Sequence, residues 1–202
     1  MANNLTNHPE MITIGETRVN RAGGRSAPVS QKDGKSVQIV ASQALLCPFG
    51  ASAFQDPEAT RCNMDFSAPD GVLTIFQGLD EHLIAQAIKS RETLFTKSYT
   101  PEQIRSNYTS PIKERSEYPT TVRAKVDLDR VRCWDLAGKK AKMPEDRCKG
   151  LKVWPKIHLK GIWIMGSGSW GPSYEVTDLR MEPAEEEACP WAAASSETIS
   201  DS

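Results

Sequence analysis

The chain has 202 residues, of which 39% are hydrophobic and 25% charged, with a formal net charge of −1. That is room for one ordinary domain with tails, and it excludes a fibrous or wholly disordered chain. With no apolar run of about 18 residues and no basic, then apolar, leader over residues 1–13, neither a membrane span nor a secretory signal is expected.

In chain order, residues 1–36 hold little that could bury a face and are expected to form a flexible basic arm around Arg18, Arg21 and Arg25. Order is expected to begin near Ser36, where Val37, Ile39 and their neighbours alternate at strand period. Pro48-Phe49-Gly50 closes that segment in a turn, and residues 61–66 read as a second short strand. Val72, Ile75, Phe76, Leu79, Leu83, Ala87 and Ile88 then recur at spacings of three and four, the stripe of one amphipathic helix. Asp70 is the expected cap, and Thr100-Pro101-Glu102 starts a second, shorter helix.

From Tyr118 the period changes to two. Val122, Ala124, Val126 and Leu128 share one face, with Arg123, Lys125 and Asp127 on the other. Val131 and Cys133 continue the buried face and leave Arg130, Arg132 and Trp134 outward. A hairpin follows: one arm over residues 156–164, a turn over 165–172 and a return arm over 173–179, with Gly161 marking a bulge or a barrel corner. Beyond Pro183, Glu185-Glu186-Glu187 opens a disordered acidic tail. The expected organisation is an arm (1–36), a nucleic-acid-binding domain (37–182) and a tail (183–202). Short strands with one inserted helix suggest a mainly β protein, most economically a five-stranded oligonucleotide-binding barrel, although periodicity also allows an α+β sandwich.

Gly166-Ser-Gly168-Ser-Trp-Gly171 matches the dinucleotide fingerprint by letter. That fingerprint needs a helix to begin inside the glycines, whereas Pro172 and a strand follow here, so a hairpin loop is the better reading. No catalytic motif or metal knuckle is present, and the five scattered cysteines suit a reducing, intracellular compartment. No enzyme activity, cofactor or metal is expected. What the β-rich half offers is charge. Residues 97–160 carry sixteen Lys and Arg against eight Asp and Glu, whereas residues 175–202 carry one Arg against eight acids. Single strands are held by a cationic groove for phosphates and by rings on which bases stack. The residues expected to supply both are Arg123, Lys125, Arg130, Arg132, Trp134, Lys156, His158, Lys160, Trp163, Trp170 and Tyr174. The competing reading is a non-catalytic protein-interaction or virion structural module that docks through the hairpin and tail.

Pro48-Phe49-Gly50, the long helix, and Lys160-Gly-Ile-Trp163 answered by Trp170-Gly-Pro-Ser-Tyr-Glu-Val176 give the chain a family likeness. Over residues 37–182 it resembles the single-stranded DNA-binding proteins of nucleocytoplasmic large DNA viruses, a group that includes the African swine fever virus protein and looks related to T7-type phage single-stranded DNA-binding proteins. The resemblance implies an oligonucleotide-binding fold and a role in replication, recombination or repair, at a viral replication site in host cytoplasm or nucleus. The implied partners are single-stranded DNA (with RNA the alternative strand) and replication proteins met through the acidic tail. This tail departs from the T7 type by its weak charge and its terminal Ser202.

Overall fold

The computed structural model describes residues 12–19, 24–53 and 55–182. Three strands lie where an arm was expected: β1 (Ile12–Ile14), β2 (Arg18–Val19) and β3 (Arg25–Gln31). Ile12, Ala27 and Val29 are buried, so order begins well before Ser36. The inward positions of β3 are small, and Pro28 argues against a strand in isolation. It is accommodated here opposite Gly161, and its carbonyl accepts from Gly15 N at 2.8 Å. Part of the basic stretch, residues 20–23, and the whole acidic tail lie outside the described residues.

Next come β4 (Val37–Val40), β5 (Leu45–Cys47), β6 (Ala51–Ser52) and β7 (Arg61–Ser67). Helix α1 (Asp70–Lys89) buries Phe76, Leu79, Leu83 and Ala87, the stripe read from the sequence. Its cap is a correction. Pro69 is the N-cap, with no side-chain bond, and Asp70 sits one residue inside the first turn. There its charge still suits the positive end of the helix dipole. After α2 (Arg91–Leu94), helix α3 (Pro101–Ser106) opens with a complete capping box: Gln103 N donates to Thr100 Oγ1 at 3.2 Å, and Thr100 N donates to Gln103 Oε1 at 2.9 Å.

The remaining strands are β8 (Ile112–Arg115), β9 (Tyr118–Asp127), β10 (Arg132–Trp134), β11 (Lys140–Ala141), β12 (Leu151–Ile164) and β13 (Trp170–Met181). The first hairpin arm ends at Ile164 as expected but begins earlier, at Leu151; the return arm begins at Trp170, because the turn occupies only residues 165–169, and runs on to Met181. The sheet follows the path β1-β3-β12-β13-β9-β7-β6. This path does not close on itself. Its longest strand, β12, ties the sheet together. It pairs in succession with β5, β4 and β3 along one edge and with β13 along the other. Bulges at 156/157 and between Leu159 and Gly161 bend the hairpin. At Gly161 a side chain would run into the carbonyl oxygen of Ala27, which fixes glycine at this corner. The inner face of the sheet packs on α1, with Phe76 meeting Tyr174 edge to face at 5.1 Å.

Candidate nucleic-acid interface

Strand alternation places one set of side chains on the face of the sheet turned away from α1. From β12 these are Trp154, Lys156, His158, Lys160 and Trp163, each exposed or half-buried between buried neighbours. Strand β9 adds Arg123 and Lys125, and β7, paired to it with Asn63 opposite Lys125, adds Arg61 and Asn63. Beside β13, β9 and β10 pair in parallel with successive segments, so Arg132 and Trp134 extend the same face.

Two hollows on this face share Asn63 and Lys125. The larger, of about 520 Å³, is lined by Arg61, Lys125, Arg130 and Lys160, with Asp127 and Glu175. The smaller, of about 270 Å³, is lined by Lys113, Arg123, Lys125 and Trp163, with Pro172 and Tyr174 at its wall. Together they make a trough with more cations than acids.

The cations in it are not equivalent. Arg123 grips the buried Asp65 with two bonds, Nε–Oδ1 at 2.7 Å and Nη2–Oδ2 at 2.9 Å. That bonding raises the Arg123 pKa, against an opposing effect of burial, and marks the residue as part of the scaffold. Lys160 meets Glu175 at 2.8 Å, while Arg61 and Arg130 each stand 3.7 Å from Asp127. Such exposed pairs are worth about 0–1 kcal/mol, so phosphate can displace the carboxylate. Among the described residues, Lys125 and Lys156 have no carboxylate within 4 Å. His158 is half-buried and its pKa is lowered, first by burial and then by Lys160, so it is neutral near pH 7.

Trp163 is half-buried, and its Nε1 donates to Pro172 O at 3.1 Å. Its ring packs on Gly171, its partner in the ladder, where a Cβ would stand 3.0 Å from Cζ2. The backbone bond and the bare glycine hold the indole at the wall of the smaller hollow.

Two expected site residues are corrected. Trp170 is fully buried; its Nε1 donates to Ile104 O at 2.8 Å and its ring meets that of Tyr108 at 4.8 Å. Tyr174 is buried against Phe76, touching the smaller hollow only from beneath. Both turn inward because β13 starts at Trp170, so its even-numbered positions through Val176 include the core-facing ones. Neither can offer a stacking face. Arg132 and Trp134 are on the correct side of the sheet but outside the hollows, both bonded to Asp178, at 2.9 and 3.1 Å. Lys156 and His158 lie on β12 between these two regions.

Arg61, Asn63 and Lys113 also line the trough, beyond the residues expected from the sequence. Residues 61–64 alternate polar and apolar in the sequence, which was the available signal for Arg61 and Asn63. Among the described residues no group of three His, Cys, Asp or Glu side chains could hold a metal ion. Burial pushes the Cys47 and Cys148 thiols up to about 12, far from the thiolate form.

No protein-family model matches the chain, and no curated protein matches it. Solved structures do overlap with it. The likeness is to phage single-stranded DNA-binding proteins. The protein from bacteriophage Enc34 in complex with single-stranded DNA aligns at 12% identity and a TM-score of 0.49, over 85% of this chain and 96% of the other. A second structure of the Enc34 protein aligns at 13% identity and 0.46, over 90% and 98%. The gp2.5 single-stranded DNA binding protein encoded by bacteriophage T7 aligns at 14% identity and 0.45, over 83% and 99%.

Proposed function

We propose that this protein binds single-stranded DNA without base specificity, and that it acts non-catalytically in replication, recombination or repair. The observation that carries the reading is the trough itself. Lys125 and Lys160 stand in it, with Arg61 and Arg130 at one end and the indole of Trp163 at the other. Fixed cations follow a phosphate backbone, and a ring beside them gives an unpaired base a surface on which to stack. A duplex hides the faces of its bases, so the Trp163 stack favours the unpaired strand. Stacking accepts any base, which accounts for the absence of sequence specificity.

The wider setting is part of the same proposal: an intracellular viral replication site, with Glu185-Glu186-Glu187 as a contact for replication proteins. The proposed tie to the large DNA virus proteins rests on sequence motifs alone: Pro48-Phe49-Gly50, the long helix, and Lys160-Gly-Ile-Trp163 answered by Trp170-Gly-Pro-Ser-Tyr-Glu-Val176. The test is a salt titration with oligo-dT followed by tryptophan fluorescence. The affinity should fall by about 0.7 log units per log unit of salt for each neutralised phosphate, with quenching on binding. Absence of binding even at low salt would turn the reading toward a protein-docking module.

A further inference from the structure

The far end of the outer face carries a second aromatic group that the trough does not use. Trp154 on β12 and Trp134 on β10 are both the ladder partners of Arg180 on β13, one on each side of it. The Arg180 guanidinium lies over the Trp154 ring, 4.8 Å from its centroid. Trp134 is fixed by its bond to Asp178. Both indoles are half-buried, and Arg180 is exposed. Beside them the outward residues of β4 and β5, Val40 and Leu46, are 54% and 39% exposed. An apolar patch on the solvent side of a sheet is unusual unless something covers it. The cations around this patch indicate what that is. Lys152 and Lys156 flank Trp154 on the same face and stand opposite Leu46 and Val40 in the ladders. Apolar surface, indoles and a stacked guanidinium amid lysines suit bases joined by phosphates.

We infer that Trp154, Arg180 and Trp134 form a second base-stacking subsite, and that a bound strand runs the length of the β12–β13 hairpin from this subsite to Trp163. The inference rests on the single-strand-binding reading given above. Lys156, His158 and Lys160 occupy the face between the two ends, and Lys160 already lines the larger hollow, so the path is continuous. Nine residues of β12 separate Trp154 from Trp163, roughly 30 Å at about 3.3 Å per residue. A strand stacked at the duplex rise of about 3.4 Å needs about nine nucleotides to reach both ends, and an extended strand needs fewer.

The experiment measures affinity for oligo-dT lengths from about 4 to about 16 nucleotides, the range of single domains of this kind. It uses the wild-type chain, Trp154→Ala, Trp154→Phe and Arg180→Gln. Wild-type affinity is expected to rise in a step once the strand reaches both ends. Trp154→Ala should remove that step, lowering long-strand affinity about 5- to 150-fold while the shortest strands bind as before. Trp154→Phe should restore most of it, and Arg180→Gln should weaken long strands in the same direction. Equal affinity of wild type and Trp154→Ala at every length would overturn the subsite, as would an equal loss at all lengths. Failure of the wild type to bind any strand would instead overturn the reading beneath it. Melting temperatures of all three variants separate lost contact from lost fold.

Discussion

Trp163 and Gly171 face each other across the β12–β13 ladder, and the indole rests on backbone that carries no side chain. A Cβ on Gly171 would stand 3.0 Å from the ring and 2.5 Å from Thr109 O. The ring must give way, and the Thr109 backbone with it. Gly171→Ala is therefore expected to destabilise the fold by about 1–3 kcal/mol and to weaken single-strand binding. Thermal melting and oligo-dT titration check the two effects. A variant with unaltered stability and affinity would show that the glycine does not position the ring.

Lys125 and Arg123 are two residues apart on one strand, yet their substitution should give different phenotypes. Lys125→Ala removes a cation with no carboxylate partner among the described residues and should flatten the salt slope of binding by about 0.7, with little change in melting. Arg123→Ala strips Asp65 of its two-bond partner and leaves it Arg115, at 3.2 Å. A loss of about 1–3 kcal/mol in stability is expected, read by denaturant unfolding. Equal stability losses in the two variants would contradict the distinction.

His158 should make binding depend on pH. Its pKa is lowered by burial and by Lys160, with Lys156 adding to the effect and Glu175 opposing it. The ring is thus neutral at pH 7 and gains its proton only in acid, below the ordinary histidine value. Phosphate nearby favours the charged form, so affinity should rise as pH falls through that range. His158→Gln should lose most of this rise. An identical pH profile in the variant would assign the effect elsewhere.

Asp80 sits buried on α1, accepting from Tyr108 Oη and Ser110 Oγ, both at 2.6 Å. Burial raises its pKa to about 6, against the lowering effect of those two bonds. The folded state thus holds a proton that the unfolded chain releases near pH 4. By linkage, stability is greatest below that pH and falls as pH rises toward 6, by up to about 3 kcal/mol. Asp80→Asn, which cannot ionise, should gain stability relative to wild type over this interval. Melting curves taken across it would refute the idea if they stayed parallel.

Much of this architecture was legible in local pattern. The α1 stripe, the alternation of Val122, Ala124 and Val126, and the special place of Gly161 each depend on near neighbours, which a sequence displays. Strand β3 was hidden because Ala27 and Val29 make a faint apolar signal and Pro28 contradicts it. The placement of Trp170 depended on where the turn ended, and a turn three residues shorter than expected turned it inward. Arg123 is 58 positions from Asp65, and Trp134 is 44 from Asp178, so their pairing follows only from the sheet register. The outward cations of β9 and β12 were therefore readable, whereas the division between free and tethered charges was not.

The order of synthesis gives the long reach of β12 a further meaning. Strand β3 leaves the ribosome early, but the segment it pairs with ends at Ile164, 133 positions after Gln31. At about 5–20 residues per second that is roughly 7–27 s of waiting, with β3 unable to complete its ladder. The nascent chain thus carries an unsatisfied edge until its last third emerges. Early termination before β12 would leave an aggregation-prone fragment rather than a smaller working domain.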